Sequence, residues 1–211
     1  MTERLSFEAA FAALPLVAIL RGVQPGEVRA IGDALIEAGF RIIEVPLNSP
    51  DPLQSIALLA EAFSGRAVIG AGTVLSTEDV ARVEAAGASM VVSPNSNIAV
   101  IRASRERGLA SLPGFATPSE AFAALDAGAT ALKLFPAEAS SPTILKAMRA
   151  TFPPETRVLP VGGITPATMQ QWTEAGAAGF GLGSAVYKPG YDASEVSRCA
   201  EDFVRAYAEL R

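Results

Sequence analysis

The chain contains no histidine. That absence removes the commonest general base, every Ser-His or Cys-His nucleophile pair and most transition-metal sites. The single cysteine, Cys199, excludes an internal disulfide and fits a reducing compartment. It falls in a polar C-terminal helical stretch and reads as a passive thiol. Charge is scarce as well, at 18% of residues, below the usual quarter. The balance is acidic, -5 with a pI near 4.9, which argues against nucleic acid as the main partner. No apolar run is long enough to span a bilayer, so no membrane association is expected. Glu3, Arg4 and Glu8 interrupt the apolar centre a signal peptide needs, and the expected location is the cytoplasm.

What is abundant is apolar: half of the 211 residues are hydrophobic. That composition points to a large core, and no linker-like stretch divides it, so a single domain over 1–211 is expected. One phrase returns with variations: "EAGFRIIEVP", "EAAGASMVVSP", "ERGLASLPG", "DAGATALKLFP" and "EAGAAGFGLGS". Each reads as a helix end, a glycine cap and a short strand. The strands are apolar on consecutive positions, the pattern of parallel strands covered on both faces. They are predicted at 16–20, 41–45, 67–71, 89–92, 109–112, 130–134, 157–161 and 178–182. Helices opened by turn signals such as Ser76-Thr77, Thr117-Pro118 and Thr165-Pro166 lie between them. Eight such units in this length predict a (β/α)8 TIM barrel with a short helix ahead of the first strand, near the lower size limit of that fold. An open doubly wound sheet is the competing architecture.

In a TIM barrel the active site lies at the C-terminal ends of the strands. Those positions here are Arg21, Glu44, Gly72 with Thr73, Pro94 with Asn95, Pro113 with Gly114, Lys133, Gly162 with Gly163, and Gly183 with Ser184. Lys133 sits in an apolar run among Leu132, Leu134 and Phe135, where an ammonium is costly unless paired or neutralised. Two readings are open: a structural ion pair with Glu44, or an amine whose lowered pKa lets it attack a carbonyl. An iminium formed that way draws electrons from the adjacent carbon and lets a carbon-carbon bond break. Glu44 is the one carboxylate expected at this end and would move the protons. With no histidine and no carboxylate cluster, a metal-dependent aldolase route has no ligands, so neither metal nor cofactor is expected. The segments "VGGITP" and "GLGSA" end the last two strands, where barrels hold a phosphate on backbone N–H groups. Arg21 suits a second anion and Thr73 a small carboxylate. Pro94 and Pro113 shape the mouth, and Trp172 reads as outer packing.

Along nearly the whole chain "VAILRG", "IIEVPLNSP", "IGAGTVL", "VVSPN", "LPGFATPSEAF", "ALKLFPAE", "PVGGITP" and "GLGSAVY" resemble, in that order, the class I 2-keto-3-deoxy-6-phosphogluconate aldolase family. The resemblance implies a TIM barrel, usually a homotrimer, that needs no metal and acts on a small phosphorylated keto-deoxy sugar acid. It implies that Lys133 forms a Schiff base with pyruvate and that Glu44 is the general acid/base. Arg21, Thr73, Pro94 and Phe135 would line the substrate, and Gly162, Gly163, Gly183 and Ser184 would hold its phosphate. Two departures bear on the substrate. Asn48 stands where the gluconate enzymes typically carry an arginine, and Val161 where they typically carry a threonine. Both look like the sister branch acting on the 6-phosphogalactonate, the C4 epimer. The alternatives are the same cleavage of the gluconate epimer, a phosphosugar isomerase or epimerase with Glu44 as base, and a phosphosugar-binding barrel without turnover.

Overall fold

The structure is a computed structural model that describes residues 4–210. Glu3 and the outer limits of the expected 1–211 domain therefore lie outside the described residues. The order opens with α1 (Phe7–Ala13), β1 (Leu16–Ile19), α2 (Val28–Ala38), β2 (Ile42–Pro46), α3 (Pro52–Ala62) and β3 (Val68–Gly72). It continues with α4 (Thr77–Ala85), β4 (Met90–Val92), α5 (Ile98–Glu106), β5 (Ala110–Leu112), β6 (Gly114–Phe115) and α6 (Pro118–Asp126). It ends with β7 (Leu132–Leu134), α7 (Pro142–Arg149), β8 (Val158–Pro160), α8 (Met169–Glu174), β9 (Phe180–Leu182) and α9 (Ala193–Ala208). Single 3-10 turns at Ala137–Ala139 and Pro166–Thr168 follow β7 and precede α8.

Local chemistry places these boundaries. Thr117 caps α6 and Glu120 reaches back to the Thr117 backbone, a reciprocal capping box. At the other end of a helix, Gly39 takes φ 113°, a left-handed turn that lets the chain leave α2 and enter β2. Every strand pairing is parallel, in a curled six-stranded sheet of order β5-β4-β3-β2-β1-β9 and a three-stranded sheet β6-β7-β8. The chain is thus a parallel α/β protein. Among the described residues, no helix is long and apolar enough to cross a membrane.

The expected eight strands are found, but the fifth is divided into β5 and β6 at Pro113. Proline has no N–H to give to a ladder. Its carbonyl still accepts from Lys133 N at 2.9 Å, so the pairing with β7 resumes immediately. Gly114 then presses against the loop after β4: a Cβ there would lie 2.2 Å from the Pro94 carbonyl oxygen.

Strand side chains alternate between two faces. One face packs on the helices in the larger core cluster, which holds Ile43, Val45, Leu132 and Leu134. The other turns inward to a second cluster that holds Val17, Ile42, Val68, Met90, Leu112 and Leu159. Phe7, Ala10 and Phe11 of α1 join this inner cluster, so the helix covers the N-terminal ends of the strands. Arg157 fixes it there by stacking 5.1 Å from the Phe11 ring centre and pairing with Glu8.

Candidate active site

The same alternation decides the surroundings of Lys133 and Glu44. On β2, Ile42 and Glu44 face inward; on β7, Leu132 and Leu134 face the helices while Lys133 faces inward. The leucines beside Lys133 in sequence therefore point away from it. Its neighbours are Val17, Ile19, Val92, Leu112, Leu159 and Val161, which with Glu44 line one small cavity. Lys133 is 6% exposed and Glu44 1%.

Burial dominates both groups. It pushes the Lys133 amine below the ordinary lysine range, opposed by the Glu44 charge and reinforced by the Arg21 charge. It pushes the Glu44 carboxyl above the ordinary carboxylate range, opposed by Lys133 and Arg21. Among the described residues the ion pairs leave Lys133 and Glu44 unjoined, so the structural ion pair considered from the sequence is not formed. The Lys133 Nζ instead stands 4.8 Å from the centre of the Phe135 ring. Glu44 Oε2 is buried with no hydrogen-bond partner among the described residues, an atom that a purely structural glutamate would have satisfied.

The other expected residues surround this pair at the C-terminal strand ends. Arg21, exposed in the loop after β1, donates from Nη1 to Asn48 Oδ1 at 2.8 Å, so the loops after β1 and β2 meet. Thr73 follows β3 in a left-handed conformation, φ 58°, a region a β-branched residue rarely adopts. Such backbone costs about 1–3 kcal/mol and clusters at functional sites. Pro94 is half-buried behind Gly114, and the Val161 side chain packs on Gly181. Gly162 and Gly163 adopt φ 114° and 65° ahead of the Pro166–Thr168 turn. Gly183 opens a turn closed by Val186 N and Tyr187 N on its carbonyl, and Ser184 is exposed on it. No helix begins there until Ala193. No three of His, Cys, Asp and Glu gather to hold a metal ion among the described residues.

A lysine and a carboxyl group, both driven toward their neutral forms and facing one cavity, suit carbonyl addition with proton transfer. The model of the family described as KDPG and KHG aldolase matches residues 7–199. The chain belongs to this aldolase family. It is 46% identical to the 2-dehydro-3-deoxy-6-phosphogalactonate aldolase of Escherichia coli (strain K12) over 196 residues, 93% of this chain and 96% of that one. A solved structure described as native KDPGal superposes with a TM-score of 0.93 at 44% identity, covering 99% of this chain and 98% of that one. The KDPG aldolase of Legionella pneumophila, solved with pyruvate captured at low pH as a covalent carbinolamine intermediate, gives a TM-score of 0.80 at 28% identity, covering 92% and 95%.

Two features of this aldolase escaped the reading of strand ends alone. Gly72 lies against the Glu44 carboxyl group: a Cβ there would sit 2.9 Å from Cδ and Oε2. Gly72→Ala is expected to leave the fold intact and lower kcat about a hundredfold, because displacing a reacting group by about 1 Å costs that much. Steady-state kinetics beside a thermal melt checks it. The second feature is Glu138. The 3-10 turn after β7, held by Ala137 N donating to Val161 O at 2.9 Å, brings its carboxylate over the glycine pair. A Cβ on Gly162 would lie 2.0 Å from Glu138 Oε2, and one on Gly163 2.7 Å from its Cγ. Glu44 is therefore not the only carboxylate at this end. The glycines make room for Glu138, which the sequence places five residues past Lys133 with no periodicity to reveal its return.

Proposed function

We propose that the protein is a class I aldolase that cleaves 2-dehydro-3-deoxy-6-phosphogalactonate into pyruvate and D-glyceraldehyde 3-phosphate. The observation that carries this reading is the inward-facing Lys133 with a depressed pKa, opposite Glu44 with a raised one. The neutral amine attacks the C2 carbonyl, and Glu44 shuttles protons as the carbinolamine loses water to give the iminium. Glu44 then takes the proton of the C4 hydroxyl. The C3–C4 electron pair moves into the iminium, the aldehyde leaves, and the enamine is protonated at C3 and hydrolysed to pyruvate and free Lys133. The Phe135 ring beside Nζ supports an amine that alternates between cationic and neutral states.

In this reading Arg21, Asn48 and Thr73 orient the polar groups of the substrate, while Pro94, Phe135 and Val161 line it. Gly162, Gly163, Gly183 and Ser184 receive the phosphate, for which the exposed Glu138 side chain swings aside. The eight strand units form one closed (β/α)8 barrel in a single domain over 1–211. Ala178 N donating to Val158 O at 2.9 Å and the parallel bridge between Val161 and Gly181 support that closure. A homotrimer in the cytoplasm completes the proposal, on the family resemblance.

Asn48 and Val161 favour the galactonate epimer. Parallel kinetics on the two C4 epimers tests this: kcat/KM is expected to favour the galactonate by roughly tenfold or more, the scale of a few polar contacts. A reversed ratio assigns the gluconate epimer instead, and an equal one assigns cleavage of both.

A further inference from the structure

Arg21 is an exposed charged member of the site, on the loop between β1 and α2, and such a side chain needs its backbone fixed to orient an anion. Two sets of contacts hold that loop. On one side, Gly22 N donates to the buried Ser49 Oγ at 2.9 Å, next to the Arg21–Asn48 bond. On the other side stands the segment after β9. Tyr187, 2% exposed, donates from its hydroxyl to Glu27 Oε1 at 2.8 Å across 160 residues of sequence. The same oxygen accepts from Gln24 N at 3.1 Å and so closes the 24–27 turn. Pro189 packs on Gly22 so closely that a Cβ there would lie 2.7 Å from Pro189 Cγ.

We propose that Tyr187 and Glu27 form a clasp that holds the Arg21 loop between the segments after β2 and β9, making Tyr187 a positioning residue for the anionic group that Arg21 binds. The proposal rests on the reading of Arg21 as a substrate ligand. A phenol donating to a carboxylate is a charge-assisted bond, stronger than a neutral one. Burial and then Glu27 hold the Tyr187 pKa far above its ordinary value, so the donor persists across the working pH range. Glu27 lies at the entry to α2, and the clasp therefore anchors the loop to a helix rather than to another loop.

Tyr187→Phe keeps the buried ring and removes only the donor. It is expected to raise KM for the phosphorylated substrate roughly five- to tenfold while kcat stays within about twofold, the scale of one net intramolecular hydrogen bond. Amide exchange over residues 21–27 should quicken by a similar factor, with β2 unchanged. In an Arg21→Ala background the same substitution should add nothing to KM, because it acts through Arg21. Glu27→Gln in the otherwise unchanged protein, which keeps an oxygen facing the phenol, should hold KM within about twofold of the parent. Unchanged exchange over 21–27 overturns the clasp, and so does a KM effect that persists in full without Arg21. If Arg21→Ala itself leaves KM unchanged, the positioning role fails with the reading of Arg21, and the Lys133 chemistry is untouched by that result.

Discussion

Lys133→Ala is expected to reduce cleavage to the uncatalysed background without unfolding the protein. The amine forms the only covalent bond between protein and substrate in the proposed cycle, and no other described residue combines burial, a lysine pKa below its ordinary range and an inward aspect. Removing it deletes the iminium and with it the electron sink that permits C3–C4 cleavage. The stability side has the opposite sign. A group whose folded pKa is depressed contributes stability above its unfolded pKa and loses it as pH falls through the folded value; at neutral pH the buried amine is a cost. Glu44, with a raised folded pKa, contributes below its unfolded value and loses as pH rises through the folded one. The double variant Lys133→Met/Glu44→Gln removes both buried charges. It should be inactive yet as stable as the parent or more so, by up to about 1–4 kcal/mol. A thermal melt at pH 7 checks this, and a large loss of Tm would mean that the pair is structural.

Glu44→Gln is expected to lower kcat by roughly 10²–10⁴, the usual contribution of a positioned acid/base, with KM changed little. The pH profile carries the sharper information. Cleavage needs Glu44 as a base, so kcat in the parent should rise with pH through a carboxyl pKa lying above the ordinary range. In the glutamine variant that acid limb should disappear, while the limb due to deprotonation of Lys133 should remain in kcat/KM. Retention of both limbs would remove Glu44 from the proton shuttle. C3 protonation can be followed apart from aldehyde release by the rate of deuterium exchange into pyruvate in D2O, which should fall in the same variant.

Much of this arrangement is legible in the sequence alone. Short apolar strands with glycine-capped helices between them determine where each strand ends; Arg21 and Thr73 stand just past such ends, whereas Glu44 and Lys133 are the middle residues of β2 and β7. A lysine inside "ALKLF" was conspicuous because burying an ammonium is expensive. The period-two rule was equally available and would have turned Leu132 and Leu134 away from Lys133, leaving the inner cluster as its surroundings. Other features depend on contacts between loops far apart in sequence. The Arg21–Asn48 bond, the Tyr187–Glu27 bond and the return of Glu138 over Gly162 follow from strand register and loop path, which leave no periodic trace. The division of the fifth strand was signalled by Pro113, whose missing N–H is a local property, although its effect depends on Pro94 across the neighbouring loop. The left-handed Thr73 had no signal at all, since glycine is the residue that sequence reasoning assigns to that conformation.

The most direct measurement treats the purified protein with pyruvate and sodium borohydride and maps the product by peptide mass spectrometry. Reduction traps an iminium as a stable secondary amine at the lysine that formed it. The expected result is a single reduced pyruvyl adduct on Lys133, absent without pyruvate and absent in Lys133→Ala. A folded protein that gives no adduct, or one carried by Lys146 or Lys188 and not by Lys133, would contradict the Schiff-base mechanism.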